Sequence, residues 1–189
     1  MFKVIVVGDG AVGKTSLVKK YSENTFKEDY LPTVGAGFAT KRLTLEGKEV
    51  TYQIWDLGGQ PQFRVVRQNF YKGSRGVLYV FDVSRKETLE NLVKWREEVN
   101  KFCGSIPCIL IGNKIDLPRK VEVQEAESYA RLFNALYFET SVLQGIYINE
   151  IFESIGRLIL ERIEKPEILP ITGESLSPCD NAAIPKKVN

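Results

Sequence analysis

Gly8-Asp9-Gly10-Ala11-Val12-Gly13-Lys14-Thr15 is the stretch that decides the fold. It fits the pattern G-x-x-x-x-G-K-[ST]. An apolar run at residues 4–7 leads into it, and a helical pattern at 14–21 leads out. Strand, glycine loop and helix in that order form a phosphate cradle. Glycines let the backbone curl until successive N–H groups face inward. The helix that begins near Lys14 adds the positive end of its dipole. Lys14 supplies a mobile cation for β- and γ-phosphates, and Thr15 a hydroxyl ligand for Mg²⁺. The bland alternative is a glycine-rich turn with a helix-capping Thr. The strand–loop–helix setting argues against it.

Outward from this loop, strand and helix patterns alternate through residue 164. Short apolar runs recur at 77–81 and 109–111, with a weaker one at 136–138. Runs of this length suit strands buried on both faces of a parallel sheet. Helical patterns fall at 87–102, 123–133 and 148–163. Residues 38–56 differ, because apolar and polar residues alternate about a Glu46-Gly47 turn, which predicts a hairpin. The sum is an α/β fold: a doubly wound, mostly parallel six-stranded sheet with one antiparallel edge strand and helices on both faces. Residues 165–189 hold four of the eight prolines and no aromatic residue. That composition predicts a mobile tail beyond a domain spanning 1–164.

Composition narrows the chemistry. The chain has 189 residues, 26 basic and 24 acidic side chains and no histidine. The missing histidine removes His triads, His-ligated zinc and imidazole acid–base work. A net charge of +2 gives no basic footprint for nucleic acid. Cys103, Cys108 and Cys179 are an odd, scattered set and read as reduced thiols in a cytoplasmic protein. No run approaches the ~18 apolar residues of a membrane span. Phe2 excludes myristoylation, and Lys186-Lys187-Val188-Asn189 is no prenylation box, so no intrinsic membrane anchor is expected. Trp95, Phe102, Tyr129 and Phe133 sit at helical spacing and read as core, and the charges of residues 85–98 as a solvated helix face.

A phosphate loop alone does not choose a base. Asn113-Lys114-Ile115-Asp116 follows the apolar strand at 109–111. A carboxylate at Asp116 can accept from guanine at N1–H and the 2-amino group, donors that adenine lacks there. Together with Pro32-Thr33-Val34-Gly35, Trp55-Asp56-Leu57-Gly58-Gly59-Gln60 and Glu139-Thr140-Ser141, these stretches make the chain resemble a small GTPase of the Ras superfamily, most like the Rab branch. The resemblance spans about residues 2–164.

The resemblance implies a P-loop G domain and a set of roles. Gly10, Ala11, Val12, Gly13, Lys14, Thr15 and Ser16 would line the phosphates. Thr33 would bind Mg²⁺ and sense the γ-phosphate, with Asp56 and Thr15 as the other metal-side groups. Gly59 would offer its N–H to the γ-phosphate and Gln60 would orient the attacking water. Gln60, Lys14 and Thr33 would thus form the catalytic set. Phe26, Tyr30, Asn113, Lys114, Asp116, Ser141, Val142 and Leu143 would complete the nucleotide contacts. The implied cofactors are Mg²⁺ and GTP or GDP. The implied partners are effectors reading switch I and switch II, a GTPase-activating protein (GAP) and an exchange factor (GEF), acting on a monomer that reaches membranes only through partners.

Some positions depart from the pattern. Val142-Leu143 stands where the Rab pattern has Ala-Lys. Leu57-Gly58-Gly59-Gln60 is nearer the Arf branch, and Pro61 biases Gln60 toward extended geometry. No arginine lies in the phosphate loop or between Lys14 and Thr33, so the intrinsic rate implied is slow, about 10⁻⁴–10⁻³ s⁻¹. The alternative function is a GTP-binding scaffold that does not hydrolyse.

Overall fold

The computed structural model describes residues 1–22 and 35–165. Six strands, β1 (Phe2–Val7), β2 (Ala36–Leu45), β3 (Lys48–Leu57), β4 (Gly76–Asp82), β5 (Cys108–Asn113) and β6 (Leu136–Thr140), form one sheet in the order β2-β3-β1-β4-β5-β6. Every pairing is parallel except β2 with β3. The expected antiparallel edge strand is β2. Glu46 and Gly47, at φ 50° and 76°, turn it back into β3. Both signs fit the primed hairpin turn, which needs positive φ at each central residue.

β1 is the centre of the molecule. Val4, Ile5, Val6 and Val7 are each fully buried. Alternate side chains of a strand point to opposite faces. Val4 and Val6 therefore join one core with α1 (Lys14–Ser22) and α6 (Ile148–Glu164). Ile5 and Val7 join the other, beneath α2 (Arg64–Tyr71), α3 (Lys86–Glu90), α4 (Leu92–Cys103) and α5 (Val123–Phe133). Burying four such side chains at about 1.5–3 kcal/mol each makes β1 a large share of the core. The sheet winds both ways from β1, so the crevice at its carboxyl end is the switch point where doubly wound folds bind ligands.

Two helical expectations need correction. The pattern at 87–102 is two helices, because the ladder tightens at Asn91. There ψ is −16°, and the Lys94 N–H bonds the Asn91 carbonyl only three residues back at 3.1 Å. Helix α2 had no counterpart in the sequence pattern. One of its most buried positions is a cation, Arg67 at 3% exposure, which hydropathy periodicity scores as solvent-facing. The charges of 85–98 are not uniformly solvated either, since Arg85, Arg96 and Glu98 are half-buried. Trp95 and Phe133 lie in the core, with Phe102 and Tyr129 packed against it. Cys103 and Cys108 are free thiols, and burial pushes the Cys108 thiol up to about 11. None of the described helices is long and apolar enough to cross a membrane. The segment at 166–189, with Cys179, lies outside the described residues.

Candidate functional site

Gly8, Ala11 and Gly13 all hold positive φ, at 140°, 60° and 102°. Alternating backbone sense of this kind builds the concave amide nest that anions favour. At two positions only glycine fits. A Cβ on Gly8 would lie 2.1 Å from the Val80 carbonyl oxygen, and one on Gly13 would lie 2.2 Å from Asn113 Nδ2. Lys14 reaches back over the loop, its Nζ donating to the carbonyls of Gly8 at 2.9 Å and Asp9 at 2.7 Å. Burial lowers its pKa to about 8, against the opposing pull of Asp56 and Asp9.

At the far end of the cradle the Thr15 hydroxyl donates to Asp56 Oδ2. Asp56 Oδ1 is buried and has no hydrogen-bond partner among the described residues. Burial raises the Asp56 carboxyl, while the Thr15 hydrogen bond and the Lys14 charge oppose the rise. A hydroxyl beside an unpartnered buried carboxylate oxygen suits a hard divalent cation, so these residues fit Mg²⁺. No cluster of three or more His, Cys, Asp or Glu stands among the described residues. Thr15→Asn, which loses the hydroxyl, is expected to weaken GTP binding more than GDP binding, because Mg²⁺ held there would neutralise one more phosphate in GTP. Equal losses in a titration of both nucleotides would remove this role.

The stretch at 57–60, which the resemblance makes switch II, closes over the same end. A Cβ on Gly59 would lie 2.4 Å from the Asp9 carbonyl carbon and 2.6 Å from Gly10 N, so this glycine rests directly on the phosphate loop. Gly58 N–H bonds the Gly35 carbonyl at 2.5 Å. Gln60 is exposed, and its side-chain oxygen accepts from Gln62 Nε2 at 2.9 Å. Pro61 opens a short 3-10 turn, Pro61–Phe63, which then runs into α2. Arg67 braces the segment, donating to the carbonyls of Gly58 at 2.8 Å and Gln60 at 3.0 Å while stacked on Trp95. A cavity of about 150 Å³ brings Gly10, Ala11, Lys14, Thr15, Asp56, Gly59 and Gln60 together.

A second cavity of about 490 Å³ lies past Gly13 and holds Ser16, Asn113, Lys114, Asp116, Val142 and Leu143. Asn113 crosslinks it: Nδ2 donates to the Val12 carbonyl at 2.8 Å, and Oδ1 accepts the Val142 N–H at 3.2 Å. Lys114 Nζ donates to the Ala11 carbonyl at 2.8 Å. The Ser141 hydroxyl donates to Asp116 Oδ1 and accepts the Gln144 N–H at 3.2 Å. The exposed carboxylate of Asp116 is therefore oriented through Oδ1 at the wall of this cavity. Leu143 is 84% exposed and offers an apolar lid. Phe26, Tyr30 and Thr33 lie outside the described residues.

Two cavities thus lie along one glycine loop, one at Lys14, Thr15 and Asp56 and one at Asn113, Lys114 and Asp116. The profile of the Ras family matches residues 3–161. The chain belongs to the Ras family. Within it, this Ras-family chain is 38% identical over 177 residues to "Ras-related protein Rab-21" of Mus musculus, covering 92% of the chain and 80% of that protein. It is 37% identical over 171 residues to "Ras-related protein RABA5c" of Arabidopsis thaliana, covering 89% and 80%. It is thus a Rab-like small GTPase of the Ras superfamily.

Asn91, Trp95, Lys19, Lys20 and Arg85, which surround the site of this Ras-family member, lie outside every motif. Asp9 Oδ1 accepts from Trp95 Nε1 at 2.9 Å and Oδ2 from Asn91 Nδ2 at 2.8 Å, tying the phosphate loop to α4. Trp95, read from sequence as packing alone, also carries this hydrogen bond. Lys19 and Lys20 of α1 also line the cavity that holds Asn113 and Asp116. Arg85 reaches the Gly10 carbonyl at 3.1 Å from 75 residues away. No local pattern announces any of these contacts.

Proposed function

We propose that residues 1–164 form a molecular switch that binds GTP and GDP with Mg²⁺, hydrolyses GTP slowly, and signals through its switch segments in membrane trafficking. One observation carries the reading: the oriented Asp116 carboxylate, the amide nest and the Thr15–Asp56 pair all open on the crevice at the end of β1. Asp116 reads the guanine edge, and Lys114 lays its stem along the base. Inward N–H groups and Lys14 hold the phosphates. Thr15, Thr33 and Asp56 would hold Mg²⁺, which would supply neutralisation of phosphate charge. Gly59 senses the γ-phosphate, and Gln60 orients water. With no imidazole in the chain, catalysis is positioning plus charge stabilisation. Loss of the γ-phosphate releases the switch segments, and effectors, GAP and GEF read the two states.

The aromatic surface of Trp55, half-buried between Phe38 at 4.8 Å and Phe70 at 5.0 Å, supports an effector face beside switch II. The reading of a monomer that reaches membranes through partners belongs to the same proposal. It is tested by titrating GTP, GDP and ATP with Mg²⁺ and by single-turnover phosphate release. Guanine-selective binding with slow release supports the switch.

A specific contact favours the second reading, a non-hydrolysing scaffold: the Gln60 side chain is engaged by Gln62. Gln60→Leu separates the two. In the switch it leaves GTP affinity within a few-fold and slows phosphate release at least about tenfold. An unchanged rate means that Gln60 does not act in hydrolysis.

A further inference from the structure

Three consecutive carbonyls of the phosphate loop are gripped from outside. The Gly10 oxygen accepts from Arg85 Nη2 at 3.1 Å, the Ala11 oxygen from Lys114 Nζ at 2.8 Å, and the Val12 oxygen from Asn113 Nδ2 at 2.8 Å. A peptide unit is planar and trans, so its C=O and N–H point in opposite directions. Holding the carbonyl of one residue outward turns the N–H of the next residue inward. Arg85 thus sets the N–H of Ala11, Lys114 that of Val12, and Asn113 that of Gly13. Asn113 and Lys114 belong to the base-binding motif. Arg85 belongs to no motif.

Arg85 is itself held. Asp82, the last residue of β4, has a side chain only 1% exposed. Its Oδ2 lies 3.1 Å from Arg85 Nε and 2.6 Å from Lys114 Nζ. Its Oδ1 accepts the Ser84 N–H at 2.9 Å and the Ser84 hydroxyl at 2.6 Å. Burial pushes this carboxyl up, but the hydrogen bonds from Lys114, Ser84 and Arg85 outweigh it and hold it below the usual carboxylate range. One buried anion therefore anchors two cations, and each cation extends to a neighbouring loop carbonyl. The rigid fork of a guanidinium suits this bridge, with Nε on the carboxylate and an Nη on the carbonyl. The residue between the two gripped peptides is Ala11, at φ 60°. A non-glycine residue in that region persists only where its surroundings impose it.

We propose that Arg85, fixed by Asp82, is a positioning residue for phosphate binding: it holds the Gly10 carbonyl outward so that the Ala11 N–H faces the phosphates. This rests on the nucleotide-binding reading above. Arg85 touches no phosphate in this role. It acts through the backbone of the loop.

Calorimetric titrations of GDP and GMP with Mg²⁺, on the full chain and on Arg85→Ala and Arg85→Lys, test the proposal. GMP shares the base and carries one phosphate, so it reports mainly on the base end. Arg85→Ala is expected to lose about tenfold or more in GDP affinity, the scale of a charge-assisted hydrogen bond, and less than twofold for GMP. Arg85→Lys is expected to recover part of the GDP loss, because one cationic donor returns. The side chain of Arg85 is 36% exposed, so the fold should survive, and a thermal melt of each variant checks this. Asp82→Asn should reproduce the GDP loss, and the double variant Asp82→Asn with Arg85→Ala should lose no more than Asp82→Asn alone. If the parent binds no GDP, the nucleotide reading itself fails. If the parent binds GDP and Arg85→Ala stays within twofold, the positioning role is overturned. Equal losses for GDP and GMP, or additive losses in the double variant, overturn it as well.

Discussion

Asp116→Asn is expected to exchange guanine for xanthine as the favoured base. The parent carboxylate presents two acceptors, matched to guanine N1–H and the 2-amino group. In the variant one oxygen becomes an NH₂ donor. The Ser141 hydroxyl, which donates to Oδ1, selects the amide oxygen for that position. The NH₂ then takes the place of the ligand-facing oxygen and meets the 2-amino group, donor against donor. Xanthine keeps N1–H but carries oxygen at position 2, so its pattern fits. Mismatched buried polar groups cost about 1–3 kcal/mol each, more where a charge is involved. GTP affinity should therefore fall at least about 100-fold and XTP affinity rise comparably, since each ~1.4 kcal/mol is tenfold. Competition titrations of GTP and XTP on parent and variant decide it. A variant that binds GTP as tightly as the parent removes Asp116 as the reader of the base.

Gly13→Ala should disable the phosphate end as severely, by a purely steric route. Gly13 sits at φ 102°, where L side chains pay about 1–3 kcal/mol in strain. Its new Cβ would also arrive 2.2 Å from Asn113 Nδ2. That nitrogen is not a flexible tip free to swing away. It donates to the Val12 carbonyl, and the other end of the same amide accepts from Val142. Moving it unlocks the phosphate loop and the base-end loop together, leaving buried polar groups unpaired at about 1–3 kcal/mol each. Together these effects predict a loss of at least about 100-fold in affinity for both GTP and GDP. Gly10→Ala is the control, because a Cβ there meets nothing within 4 Å. Measured GDP affinities that fall equally for the two variants would show that the Gly13–Asn113 contact is not what matters.

Much of this molecule is legible from local sequence, and the reasons are local. Where the loop needs positive φ with no room for a Cβ, at Gly8 and Gly13, glycine is required within a few residues of Lys14 and Thr15. Residues 4–7 are apolar without alternation because both faces of β1 are covered, and 38–56 alternate because a hairpin at the sheet edge has one wet face. The Glu46-Gly47 turn is legible for the same kind of reason, since its backbone needs two residues that tolerate positive φ. The residues proposed to read the base, Asn113, Lys114 and Asp116, fall together at the end of one strand and the start of its loop. Their spacing survives in the sequence unchanged.

What periodicity could not supply is every choice made by packing across the sheet. Helix α2 buries Arg67, which faces the carbonyls of Gly58 and Gln60, the ring of Trp95 and the Glu98 carboxylate at 3.5 Å, so its inner face reads as polar. One pattern over 87–102 became two helices at Asn91, whose side chain is bound to Asp9, 82 residues earlier. Arg85 joined the phosphate loop across 75 residues, and Trp95 joined it across 86. A period of 2 or 3.6 is imposed by the backbone on neighbouring residues. A hydrogen bond between a loop and a distant helix imposes no period at all. Its two ends are brought within reach only when β1 and β4 pair in the sheet and α4 packs on its face, and so the sequence alone determined the chemistry of the loops while the tertiary structure decided which distant side chains hold them in shape.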